Sequence, residues 1–318
     1  MLTSIALGLI LAPSTAYDPN RLPANFKPRP VLMTLRDSGR KRDLPIRVFL
    51  PESGKAAPIV IFSHGLGGSR DMNTFLGEHL AARGYVAIFT QHIGSDTSVW
   101  QNIPVRDRMA AMRNAASYEN FMLRQGDIHF LLDDLKRLNS SDAKLKGRID
   151  LSKVGMSGHS FGAVTTQAVS GQDFPGIGQK LTDPRIDAAV AYSPSAPAAG
   201  SAARAFGIVE IPWLVMTGTK DTSLIGNATL EDRLAVFPAL PPGDKYEVVL
   251  FEAEHSAFTE RALPGDRLKR NPNHHKVMLG LTTAFWDAYL KGNKEAKVWL
   301  QGSGPRRIME PKDTWKRK

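Results

Sequence analysis

"KVGMSGHSFGAVT" (Lys153 to Thr165) passes from an apolar stretch, through a serine set between two glycines, into a second apolar stretch. Gly158-His159-Ser160-Phe161-Gly162 fits the pattern Gly-x-Ser-x-Gly, which carries little weight alone. Context supplies the weight: a nucleophilic serine of this kind sits on a sharp strand-to-helix turn at the top of a sheet. Residues 153–157 read as a short strand and residues 163–169 can open a helix, and the flanking small residues let the turn close. The competing reading is a glycine-rich turn that holds a serine incidentally. A base and an acid further along the chain would decide between the two.

Outward from that turn, strand-like runs fall at 31–36, 46–50, 58–63, 85–90, 188–192, 213–216 and 246–251. The run PIVIFS (58–63) is continuously apolar and β-branched, as expected of a strand covered on both faces. Helices are expected at 72–83, around 107–114, and at 276–290. Ile128, Leu131, Leu132, Leu135 and Leu138 recur at helical spacing. Strands that alternate with helices predict an α/β fold, a mostly parallel central sheet with helices on both faces. No linker divides the middle, so one folded domain is expected over 44–300, with an extended lead-in at 17–43 and a basic tail at 301–318.

A serine hydroxyl is a poor nucleophile until a base takes its proton and an acid orients the base. Three of the eight histidines follow Ser160: His255, His274 and His275. His255, in "FEAEHSAF", lies just past the last expected strand, where a loop can return its ring over the sheet. His274 and His275 open the last helix among polar residues and read as solvated. Asp221, in "WLVMTGTKDTS", follows a buried strand and a turn, and is the expected carboxylate; its alternative is a turn aspartate capping the next segment. Glu254 is adjacent to His255, and neighbours in an extended segment point opposite ways, so it is not expected to reach the ring.

An anion site must accompany the three. "SHGLGG" (Ser63 to Gly68) follows the PIVIF strand, and the backbone N–H groups of Leu66 and Phe161 are the expected donors. His64 and His159 are expected to brace the loops. Trp100 and Tyr192 are candidates for the substrate pocket, and either can equally be a core aromatic.

The 318 residues include no cysteine, which excludes disulfides, cysteine zinc sites and a cysteine nucleophile. No apolar run reaches the roughly 18 residues of a membrane span. Residues 5–12 (IALGLILA), followed by Ser14-Thr15-Ala16, resemble an export signal over 1–16, although no basic residue precedes them. A secreted or periplasmic location follows from that reading, and a cytoplasmic one if the stretch is a buried first segment. The net charge of +10 is concentrated at the ends: residues 1–50 hold 8 Lys and Arg against 3 Asp and Glu, and residues 301–318 hold 6 against 2. Such ends are either simply solvated or weakly attracted to an anionic surface such as lipid. No basic helix or aromatic-interleaved patch accompanies the charge, so no nucleic-acid partner is expected.

SHGLGG, GHSFGA, GTKD and EAEH, in this order, resemble the α/β-hydrolase superfamily over roughly residues 44–290. The SHGLG and GHSFG pair resembles the plasma platelet-activating-factor acetylhydrolases and the bacterial dienelactone-hydrolase-like proteins. The resemblance implies the α/β-hydrolase fold, a triad of Ser160, Asp221 and His255, and an oxyanion hole from Leu66 and Phe161. It implies a serine esterase that works through an acyl-enzyme on short-acyl or other small esters, without metal or organic cofactor. True dienelactone hydrolases use a cysteine nucleophile, which this chain lacks, and the membrane-contacting helices of the lipid-cleaving acetylhydrolases are not identifiable. Two alternatives stand beside it: a secreted, cutinase-like polyester hydrolase, and a catalytically silent binding protein on the same fold. Nothing in the sequence fixes the oligomeric state.

Overall fold

The apolar runs become the middle of a nine-stranded sheet. The structure, a computed structural model, describes residues 16–23, 26–197, 200–223, 225–226, 228–263 and 265–318. The expected export signal therefore falls, but for Ala16, outside the described residues. The strands are β1 (Val31–Asp37), β2 (Arg42–Phe49), β3 (Ala57–Ser63), β4 (Val86–Thr90), β5 (Ile149–His159), β6 (Ala188–Tyr192), β7 (Trp213–Lys220), β8 (Lys245–Glu254) and β9 (Thr314–Arg317). They are ordered β1-β2-β4-β3-β5-β6-β7-β8-β9. The central six, from β4 to β8, run parallel, and the pairs β1–β2, β2–β4 and β8–β9 are antiparallel.

The helices are α1 (Thr74–Ala82), α2 (Ser98–Gln101), α3 (Arg108–Ala115), α4 (Tyr118–Ser141), α5 (Phe161–Val169), α6 (Ala202–Phe206), α7 (Leu230–Leu234), α8 (Val236–Ala239), α9 (Pro272–Tyr289) and α10 (Lys294–Gln301). Side chains alternate across each strand, so both faces of the sheet need cover. Val60 and Phe62 pack with Leu76 and Leu80 of α1 and with Val277, Leu281 and Phe285 of α9. Ile59 and Ile61 pack on the other face with Ile128, Leu131, Leu135 and Leu138 of α4. A third cluster joins Ala189, Ala191 and Val215 to Phe206 and Phe237. The periodicity that predicts a helix around Ile128 belongs to a longer one, capped by Ser117, whose side chain accepts from the Asn120 N–H.

The strand expected at 31–36, inside the stretch assigned to the lead-in, is β1, and β2 opens at Arg42, earlier than the expected 46. Residues 301–318, expected as a basic tail, supply β9, paired from Tyr246 with Arg317 to Val249 with Thr314. Lys316 there, itself exposed, meets the buried Glu247 carboxylate at 2.7 Å, so part of the terminal charge is paired with a carboxylate of the sheet. Tyr17 in the lead-in donates to Asp287 of α9 at 2.8 Å, beside Arg83, Tyr85 and Lys291. His274, expected as solvated, is buried with Nε2 3.1 Å from the Phe251 carbonyl, and His275 stacks on Phe75 at 4.3 Å.

Candidate active site

Parallel strands place the loops at their carboxyl ends together, and ligand sites in open α/β sheets form there. The ends of β3, β5, β7 and β8 meet in this way. β5 stops at His159, and Ser160 takes φ 56° and ψ −115° before α5 begins at Phe161. A non-glycine residue held there stores about 1–3 kcal/mol of strain, tolerated only where the surroundings enforce it. The surroundings do: a Cβ on Gly162 would lie 1.9 Å from the Ser63 carbonyl oxygen, and one on Gly158 2.3 Å from that of Gly162. The two flanking glycines are therefore required by close backbone approach. The Ser160 N–H donates to the Tyr192 carbonyl at 3.0 Å, tying the turn to β6.

His255 follows directly on β8 and opens a short 3-10 turn (His255–Phe258). Its Nε2 lies 2.9 Å from Ser160 Oγ, and its Nδ1 lies 2.6 Å from Asp221 Oδ1. Asp221 is wholly buried, its Oδ2 accepts from Thr217 Oγ1 at 2.8 Å, and Ser160 keeps partial exposure. Arg233 of α7 closes the back of this array. It donates from Nε to the Asp221 carbonyl at 2.7 Å and from Nη1 to the Ser193 and Pro194 carbonyls at 2.8 and 3.1 Å. Burial works to raise the Asp221 carboxyl. The hydrogen bond from His255 and the charges of His255 and Arg233 outweigh it and hold the group well below the usual carboxylate range. An ionised carboxylate at Nδ1 leaves Nε2 free to accept the serine proton.

The SHGLGG loop lies against the nucleophile: a Cβ on Gly65 would be 3.5 Å from that of Ser160. Gly67 donates to the Ser95 carbonyl at 2.9 Å and Gly68 to the Gly65 carbonyl at 3.0 Å. Among the described residues the N–H groups of Leu66 and Phe161 donate to nothing, as open oxyanion donors require. His64 and His159 brace this region. His64 Nδ1 lies 2.6 Å from the Gly65 carbonyl, its Nε2 accepts from the His92 N–H at 3.0 Å, and His159 Nε2 lies 2.9 Å from the His255 carbonyl.

Trp100 is half-buried and donates from Nε1 to the Gly67 carbonyl at 2.8 Å. Tyr192, the other pocket candidate, is placed elsewhere: its ring is fully buried among Phe62 and Phe258, and its hydroxyl pairs with Thr282 of α9. Only its carbonyl touches the site. Glu254 points away from His255 and accepts from the N–H groups of Arg267 and Leu268 at 2.8 and 3.0 Å.

A second array of the same residue types lies one step behind the loop. Ser63 Oγ is 2.9 Å from His92 Nε2, and His92 Nδ1 is 2.9 Å from Asp127 Oδ2. All three side chains are wholly buried, so no substrate reaches this serine. Arg42 pairs with the same carboxylate at 2.7 Å, and Arg124 contacts Ser63 and His64. Ser63 opens the SHGLGG motif, and no motif marks His92 or Asp127 in the sequence.

The mostly parallel sheet, with its serine turn and the aspartate and histidine following in that order, is the α/β-hydrolase fold. The chain belongs to that fold class. Within that class, residues 46–129 match the family described as "Platelet-activating factor acetylhydrolase, isoform II". The chain is 29% identical over 148 residues to a platelet-activating factor acetylhydrolase from Cavia porcellus, covering 38% of this chain and 34% of that one. It is 27% identical, also over 148 residues, to one from Canis lupus familiaris, covering 37% and 33%. The chain thus spans about a third of the length of the curated relatives it matches. Among solved structures it resembles the ferulic acid esterase from Streptomyces cinnamoneus, with a TM-score of 0.57 and 19% identity over 88% of this chain and 94% of that one, a likeness of fold.

Proposed function

We propose that the protein is a serine carboxylic-ester hydrolase acting on short-acyl or other small esters. The observation that carries this reading is the continuous chain from Ser160 Oγ through His255 to the buried Asp221, at 2.9 and 2.6 Å. In this reading His255 Nε2 takes the Ser160 proton as Oγ attacks the ester carbonyl. The oxyanion is held by the N–H groups of Leu66 and Phe161, each such donor being worth about 3 kcal/mol of transition-state stabilisation. His255 then returns the proton to the departing alcohol and next activates water, which releases the acid and restores Ser160.

The preference for small esters is supported by the name of the curated relatives, acetylhydrolases, and by the bulky Trp100 bonded to the Gly67 carbonyl of the loop that lies against Ser160. All three triad members are aligned, which disfavours a silent binding protein. The test is hydrolysis of p-nitrophenyl esters of increasing acyl length by the wild type and by Ser160→Ala. The expected result is wild-type activity greatest on the shortest acyl groups and its loss in the variant. Absence of hydrolysis on every ester overturns the reading, as does full activity in Ser160→Ala.

A further inference from the structure

Arg124 of α4 has no exposed surface, yet it touches both segments that carry the open N–H groups. Its Nη1 donates to the His64 carbonyl at 2.8 Å, two residues before Leu66. Its Nε donates to Ser95 Oγ at 2.9 Å, and the Ser95 carbonyl holds the Gly67 N–H, one residue after Leu66. The loop is therefore pinned on both sides of Leu66 from a single guanidinium. On its other flank Arg124 Cζ stands 4.3 Å from the centre of the Phe161 ring, within cation–π range of the residue that supplies the second N–H.

A buried cation is a costly filler, and an apolar side chain of like volume would pack the same space at lower cost. The carboxylates that offset the charge, Asp127 and Asp96, are themselves buried. Burial pushes the guanidinium down to about 9, which still leaves it charged at neutral pH. A planar fork with donors in several directions suits a joint between two loops in a way that a lysine ammonium does not.

We propose that Arg124 is the positioning residue of the oxyanion hole: it sets the placement of the Leu66 N–H relative to the Phe161 N–H and adds a fixed positive charge behind them. This inference rests on the serine-esterase reading above. An interaction that matters only as the oxyanion forms lowers kcat and leaves substrate binding alone. Packing damage makes no such distinction.

The test compares the wild type with Arg124→Met, Arg124→Lys and Phe161→Leu on p-nitrophenyl acetate, together with inhibition by phenylboronic acid, whose tetrahedral adduct with Ser160 mimics the intermediate. Melting temperature and far-UV circular dichroism establish folding. In Arg124→Met, kcat should fall about 10- to 100-fold, with boronate affinity falling in parallel and KM nearly unchanged. Arg124→Lys, which keeps the charge and loses the fork, should fall less. Phe161→Leu keeps its backbone N–H, and its loss combined with Arg124→Lys should be smaller than the product of the single losses. Should Arg124→Met not fold, Arg124→Lys and Phe161→Leu carry the test. Folded variants with wild-type kcat and boronate affinity overturn the proposal, as do losses in which KM and boronate affinity worsen together. A wild type inactive on every ester removes the esterase reading and this proposal with it. An active wild type matched by its variants removes the proposal alone.

Discussion

Arg233 Nε stands 3.1 Å from Oδ1 of Asp221, the oxygen that lies 2.6 Å from His255 Nδ1. One carboxylate oxygen thus serves an imidazole and a guanidinium in a buried setting, and Arg233 is the partner that stays charged throughout. Burial alone would raise the Asp221 carboxyl, and the Arg233 charge is among the effects that reverse it. In Arg233→Gln that contribution is lost, so Asp221 protonates at higher pH. The acid limb of the kcat/KM profile is then expected to move to higher pH, and stability to fall by roughly 3–5 kcal/mol as a buried ion pair loses one member. A pH profile superimposable on the wild type would contradict this account.

Two carboxylates flank the histidine in sequence or space, and their contacts assign them opposite fates. Asp221→Asn preserves shape and removes the charge that orients Nδ1, so kcat should fall by about 10⁴-fold with little change in KM. Glu254→Gln leaves the Ser160–His255–Asp221 chain untouched, since Glu254 binds the N–H groups of Arg267 and Leu268. It should keep wild-type kcat. Initial rates on one chromogenic ester for both variants check the assignment, and a large loss in Glu254→Gln would reverse it.

The central strands were legible because buried parallel strands are continuously apolar, and the meeting of Ser160, Asp221 and His255 because such groups are expected in a fixed order around a steric motif. Tyr192 shows where that legibility stops. Every residue of β6 is buried, so no alternation tells which side chains face the site and which face α9. β9 is four residues long, three of them polar or charged, and owes its place to pairing with β8 rather than to its own pattern. Arg124 and Asp127 are charged residues set among half-buried ones on α4, so as sequence they read as part of its polar side. Their burial follows from the loops that descend onto the helix, which local patterning does not encode.

Gly162 is the residue whose smallest alteration should cost most. Its Cα approaches the Ser63 carbonyl so closely that a methyl group would overlap it at 1.9 Å, with the His64 carbonyl at 2.9 Å. Backbone on either side must move, and the movement shifts the SHGLGG loop relative to Ser160. Gly162→Ala is therefore expected to lose at least about tenfold in kcat even where it folds, because a displacement of about 1 Å can cost 100-fold. Gly54→Ala meets nothing within 4 Å and should match the wild type in the same assay.

Four buried histidines set the acid response of the whole fold. Burial foremost pushes His79 and His92 down to about 4 and His159 to about 3, and with the Arg124 charge it holds His64 well below its usual range. The unfolded chain takes up these protons below about pH 6.5, while the folded chain refuses them until far lower. Their contribution to stability is therefore full above about pH 6.5 and is lost as the pH falls toward 4, by up to ~1.4 kcal/mol per pH unit for each group. Asp127, held at about 2, adds a loss of the same sign only below about pH 4. The melting temperature should thus drop steeply between pH 6.5 and 4.5. In His92→Gln it should start lower at pH 7, because Ser63 and Asp127 lose a partner, and then decline less steeply. A melting temperature that is flat over this interval would mean that these rings are protonated in the folded state, against the burial that keeps them neutral.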